Sequence, residues 1–295
     1  MANTIAVVFD FDDTLVPDST TMLLRERGLT EKDVDHFWNV ELKALVANGY
    51  DSTLGFLKLF LDRVGPDKPL GSLTNADLKA FGASLDKHFH PGLPELFDDL
   101  RTAGHENGGF PVRFAIVSGG LQAVIEGSAI VQSYFKSNVY GCVLAEAGDP
   151  MRLDHVKRAI NFTEKTRYLF EINKGLSPEK TLKNPFLVNE DVPKAKRAVS
   201  LRHMIYVGDG LTDIPCFSLL REKGGLPFGV FDPTDATKAK RAVLKFLMPH
   251  RVISMNEPRY GKNDGLGALL RAAVVTLCNR IVVDQHSAEP ADESE

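Results

Sequence analysis

Short apolar and β-branched runs punctuate this chain at Ile5 to Phe9, Val112 to Val117, Val139 to Leu144, Met204 to Val207 and Leu226 to Val230. Each has the length of a buried parallel strand. Helical patterns follow three of them, at Leu121 to Val131, Asp213 to Leu220 and Asp235 to Leu247. The alternation predicts an α/β fold built on a Rossmann-like wound, mainly parallel sheet. One interval breaks the rhythm. Between Asp18 and about His90, Leu23/Leu24, Phe37, Leu42, Phe56/Leu57, Phe60/Leu61, Leu78, Phe81 and Leu85 recur at helical spacings, which predicts a helical insertion.

Pro17 and the His90-Pro91-Gly92 turn are its expected hinges, because proline fixes φ and glycine frees it. The expected organisation is a core domain from 1–16 and 91–285, a helical cap domain at 17–90, and an acidic tail at 286–295. Ala288 to Glu295 of that tail are small and acidic, and disorder is expected there. The stretch from Gly175 to Arg202, rich in proline and charge, reads as an exposed connection. Leu266, Leu269/Leu270, Ala273/Val274, Leu277 and Ile281 share one face of a last helix.

Composition narrows the function classes. With 43% hydrophobic and 25% charged residues over 295 positions, the chain reads as an ordinary globular protein. A net charge of -4 and a pI near 6.1, with no basic cluster interleaved with aromatics, argue against nucleic acid. Cys142, Cys216 and Cys278 are odd in number and widely spaced, so buried free thiols are expected rather than a disulfide framework or a thiolate metal site. The apolar run from Ile5 to Phe9 is too short for a signal peptide, and no uninterrupted apolar stretch of membrane-spanning length follows, so a cytoplasmic location without membrane attachment is expected. Oligomeric state is not encoded legibly.

Chemistry enters where the first strand runs into Asp10-Phe11-Asp12-Asp13-Thr14. Two carboxylates about 4 Å apart repel by roughly 1 kcal/mol in water and about 4 kcal/mol at an effective dielectric near 20, so crowding them calls for a cation or a chemical duty. Three further polar groups follow strands or open helices. Ser118-Gly119-Gly120 offers a hydroxyl and flexible amides for an anion, Gly208-Asp209-Gly210-Leu211-Thr212-Asp213 adds an acidic turn, and Lys165 stands near the start of an amphipathic helix. In an open α/β sheet the carboxyl ends of the strands converge, so these groups can meet at one ligand. Carboxylates suit Mg²⁺, while hydroxyl, amides and lysine suit phosphate.

On these residues the chain resembles the haloacid dehalogenase superfamily of phosphatases, in the phosphoserine-phosphatase-like subgroup with a C1 cap. Its motifs stand here as Asp10-Phe11-Asp12-Asp13-Thr14, Ser118, Lys165 and Gly208-Asp209-Gly210-Leu211-Thr212-Asp213. The resemblance implies a Mg²⁺-dependent phosphomonoester hydrolase acting on a small phosphorylated metabolite through an aspartyl-phosphate. Asp10 would be the nucleophile and Asp12 the general acid/base. Asp10, the backbone carbonyl of Asp12, and Asp209 would hold Mg²⁺, with Asp213 direct or through water. Ser118, Gly119 and Lys165 would hold the phosphoryl oxygens, Thr14 would fix the loop, and Asp13 would have no direct chemical part.

Several alternatives accompany that reading. Lys194 and Lys196 lie closer to Asp209 in sequence than Lys165 does. A phosphotransferase shares the chemistry, a non-catalytic phosphate-binding module would need a damaged motif, and a dehalogenase would not need Asp12 or the acidic turn. His88 and His90 lack a third ligand, and Gly119-Gly120 is not a dinucleotide fingerprint. Phosphoserine phosphatases usually carry a glutamate shortly after the first motif to hold the substrate amine, whereas this chain has Asp18-Ser19 there.

Overall fold

The computed structural model describes residues 3–287, and the tail expected from Ala288 onward lies outside them. Its centre is a mixed seven-stranded sheet: β1 (Ile5–Phe9), β2 (Val112–Leu121), β3 (Val139–Ala147), β4 (Arg152–Arg158), β5 (Met204–Gly208), β6 (Leu226–Val230) and β7 (Met255–Asn256), in the spatial order β4-β3-β2-β1-β5-β6-β7. Among the described residues only the β3–β4 pair is antiparallel. Every residue of β1 is buried, as expected for a central strand covered on both faces. Phe9 packs edge-on against Phe97, Phe135 and Tyr260, with ring centroids 5.9 to 6.4 Å apart.

The five strands legible in the sequence are present, and the structure adds β4 and β7. The Arg152–Arg158 run carries three basic residues, an Asp and a His, so it lacks the apolar signature of a central strand. It forms because it sits at an edge, paired antiparallel to β3, where one face stays solvated. The predicted Leu121 to Val131 helix divides at Ser128 into Gln122–Gly127 and Ala129–Tyr134. The Gly175 to Arg202 connection contains a short helix, Pro178–Lys183, and several 3₁₀ turns.

Every element between β1 and β2 is helical among the described residues, from Ser19–Glu26 to Glu95–Glu106. The chain enters and leaves the stretch up to His90 side by side, since the His90 amide donates to the Leu15 carbonyl at 2.9 Å. The Asn75–Ser84 helix then meets Gln122–Gly127 backbone to backbone. A Cβ on Gly82 would lie 1.9 Å from the Val124 carbonyl oxygen, so only glycine permits this approach. Asp86 adds a cap from the insertion, accepting bonds from Ser128 Oγ and the amides of Ala129 and Ile130.

The final helix, Gly265–His286, is long and apolar enough to span a membrane by length and composition. Leu266, Leu270, Val274, Leu277 and Ile281 are nevertheless buried in the protein, and Arg271 pairs with Asp99 on the Glu95–Glu106 helix.

Candidate active site

Register brings the polar strand ends together. Phe9 pairs with Ile116 of β2 and with Val207 of β5, so Asp10 lies level with the carboxyl ends of both neighbours. The strand order reverses at β1, which makes this a topological switch point, where α/β sheets open a crevice. A cavity of about 530 Å³ opens there, and Asp10, Asp12, Ser118, Gly119 and Asp209 line it.

Asp10 is fixed from several directions. Its amide donates to the Val207 carbonyl at 2.8 Å, its Oδ1 accepts from the Phe11 amide at 2.7 Å, and its Oδ2 accepts from Lys165 Nζ at 2.5 Å. Lys165 also donates to Asp213 Oδ1 at 2.7 Å, and its side chain is wholly buried. The lysine is aimed because Asn161 caps the Phe162–Lys174 helix, accepting from the Glu164 amide, and Gly175 ends the helix in the left-handed region at φ 73°. Lys194 and Lys196, the sequence alternatives, lie on a separate 3₁₀ turn and do not line the cavity.

Asp213 is buried with both oxygens occupied. Oδ1 accepts from Lys165 and from Tyr206 OH at 2.6 Å, and Oδ2 accepts from the Gly210 amide at 2.8 Å. Asp12 Oδ1 accepts from the Ser19 amide at 2.7 Å, at the start of the Ser19–Glu26 helix. Its Oδ2 lies against Gly120, where an added Cβ would approach to 2.3 Å. Ser118 is buried, and its Oγ accepts from the Gly120 amide at 3.0 Å. The carbonyl of Thr14, a residue expected to fix the loop, accepts from Tyr260 OH at 2.8 Å. Asp13, in the left-handed region at φ 54°, forms an ion pair with Lys238.

Charge dominates the cavity. Burial, reinforced by Asp213, pushes Asp10 up to about 6 against the pull of Lys165. Burial and then the Asp18 charge push Asp12 up to about 8. Asp209 is held well above the usual carboxylate range by burial and by Asp10, Asp13 and Asp213. Lys165 is raised: burial lowers it, but Asp10 and Asp213 together outweigh that and keep it an ammonium. Asp10, Asp209 and Asp213 each offer a carboxylate oxygen, all within 4.8 Å of one another. An all-oxygen, mutually repelling donor set fits a hard divalent cation.

Tyr206, Lys238, Arg241, Trp38 and Phe56 are the site residues that sequence reasoning missed. Tyr206 stands in the apolar Met204 to Val207 run just before the acidic turn, and a buried strand tyrosine carries no sequence mark of its hydrogen bond. Lys238 meets Asp13 across 225 residues of chain, beyond any local pattern. Cys142, Cys216 and Cys278 are free and buried, as expected.

The fold is similar to that of solved structures. The chain superposes on a phosphoserine phosphohydrolase-like protein from Francisella tularensis subsp. tularensis SCHU S4 with a TM-score of 0.50 and 17% identity, over 85% of this chain and 94% of that one. The likeness is one of fold, a Rossmann-like wound, mainly parallel α/β sheet. A phosphoserine phosphatase in apo form gives a TM-score of 0.47 at 17% identity, over 85% and 92% of the respective chains. No family model matches the sequence. Over 240 residues, 74% of this chain and 79% of its counterpart, it is 32% identical to an uncharacterized protein of Borreliella burgdorferi, and the two belong to one family.

Proposed function

We propose that this protein is a Mg²⁺-dependent phosphomonoesterase that works through an aspartyl-phosphate on Asp10. The observation that carries the reading is the convergence of Asp10, Asp12, Ser118 and Asp209 on one cavity above the buried Lys165. Asp10 and Asp209, with the backbone carbonyl of Asp12, would hold the cation. When bound, Mg²⁺ would offset the repulsion between these carboxylates and an incoming phosphate.

The protein's own groups divide the remaining work. A carboxylate oxygen of Asp10 forms a bond to phosphorus as the ester P–O bond breaks, and the electron pair leaves on the alcohol oxygen. Asp12, kept protonated by burial, donates a proton to that oxygen, then takes one from the water that attacks the phosphoaspartate, returning Asp10 and releasing phosphate. Ser118 and the Gly119 amide bind phosphoryl oxygens, and Lys165 faces their charge. Asp213 holds Lys165 in place through the hydrogen bond they share. The helical segment 17–90 serves as a cap over the core formed by 1–16 and 91–285, the substrate is a small phosphorylated molecule, and a cytoplasmic location goes with it.

The test is phosphate release from phosphomonoesters in Mg²⁺ buffer. Chelation should abolish it, and Asp10→Asn should lower kcat by roughly 10⁴-fold or more. Full activity in Asp10→Asn would contradict the reading.

A further inference from the structure

The walls of the cavity above Asp10 differ sharply from its floor. Trp38, Leu42 and Phe56 from the helices between β1 and β2, with Phe162 and Leu211 from the core, give it an apolar lining. Phe162 and Leu211 are 40% and 39% exposed, and each stands beside catalytic machinery: Phe162 opens the helix that carries Lys165, and Leu211 follows Asp209 by two residues. The indole of Trp38 is pre-set. Its Nε1 donates to Thr21 Oγ1 at 2.8 Å, its ring meets Phe37 edge-on at 4.8 Å, and it stands 5.9 Å from the ring of Phe56.

Charge is distributed to match. Between Ser19 and His88, the residues lining the cavity include no Lys, Arg or His, and their polar members, Thr20, Ser52 and Thr53, are hydroxyls. Asp18 also lines the cavity there, and its Oδ1 accepts from the Thr21 amide as a helix cap. The two cations on the core side both stand by carboxylates: Lys238 is hydrogen-bonded to Asp13, and Arg241 lies 3.9 Å from Asp209 with its Nε left without a hydrogen-bond partner. A carboxylate on the leaving group would therefore find no free cation on the cap side, and burying it unpaired is costly.

We infer that the enzyme selects phosphomonoesters whose leaving alcohol is uncharged and apolar, an alkyl or aryl-alkyl group, over those whose leaving alcohol carries a carboxylate. This rests on the phosphatase reading above. The phosphate occupies the polar floor, and the alcohol lies between Trp38, Phe56, Phe162 and Leu211, where its apolar surface leaves water.

The experiment compares kcat/KM in Mg²⁺ buffer for 2-phenylethyl phosphate, ethyl phosphate and phosphoserine, all primary alkyl esters. 2-Phenylethyl phosphate should exceed each of the others by roughly tenfold or more. Trp38→Ala, and separately Phe56→Leu, which keeps an apolar side chain should the first variant fail to fold, should shrink the phenylethyl-to-ethyl ratio. Preference for phosphoserine, or an unchanged ratio in a folded variant, would overturn the inference. p-Nitrophenyl phosphate, activated by its leaving group, reports the phosphatase reading separately. If it and all three alkyl esters are left intact, that reading fails and this inference with it.

Discussion

Lys165 donates from Nζ to Oδ2 of Asp10 at 2.5 Å, joining residues 155 positions apart in a buried ion pair. The pair is half of a larger arrangement, because the same ammonium also reaches Asp213. One cation thus compensates two buried carboxylates, and its geometry is over-determined by both.

Removing that cation should therefore be severe. In Lys165→Met the carboxylates of Asp10 and Asp213 remain buried without a compensating cation, and about 3–5 kcal/mol of stability should be lost. Urea unfolding measures this loss. Phosphatase kcat/KM should fall by roughly 10³-fold, because the phosphoryl oxygens lose a positioned charge.

Gly120 offers a more selective perturbation. A Cβ there would come within 2.3 Å of Asp12 Oδ2 and push the carboxyl off its position. Gly120→Ala should lower kcat by roughly 10²-fold, because misplacement of about 1 Å carries such a penalty. Paired kinetics and thermal melts check this, with the melting midpoint expected to change little compared with that of Lys165→Met.

The fold is legible in the sequence wherever apolar pattern and position agree. β1 and β6 run over the residues their apolar stretches mark, because central strands are apolar throughout. β4 was hidden by its edge position, which tolerates the charges of Arg152, Asp154, Lys157 and Arg158. In the site, carboxylates at strand ends are conspicuous because nothing structural requires them. The roles of Tyr206 and Lys238 depend on contacts between distant segments, and a local pattern cannot register those. Trp38 and Phe56 were visible only as members of a helical apolar face, and the same pattern serves core and cavity wall alike.

The acidic cluster should also make stability depend on pH and metal together. Asp10 and Asp12 bind protons up to about 6 and about 8 in the fold, Asp209 is raised too, and all three start from 3.8. Between about pH 4 and 8 the metal-free folded state therefore holds more protons than the unfolded chain, and its stability falls as pH rises. Mg²⁺ competes with those protons, so its stabilisation should grow over the same range. Melting curves should show a rise of about 5 °C at pH 8 with Mg²⁺ near 100 times its dissociation constant, and almost none at pH 5. A larger Mg²⁺ effect at pH 5 would contradict the cluster as the metal site.

The central claim is that Asp10 becomes covalently phosphorylated. The most direct measurement mixes the Mg²⁺-loaded protein with a phosphomonoester that it hydrolyses, quenches with acid within one turnover, and maps peptides by mass spectrometry. The account predicts one added phosphoryl group on the peptide carrying Asp10, absent from Asp10→Asn and lost on mild alkaline treatment, as an acyl phosphate requires. Turnover in which that peptide stays unmodified, or in which the phosphoryl group appears on another residue, would contradict it.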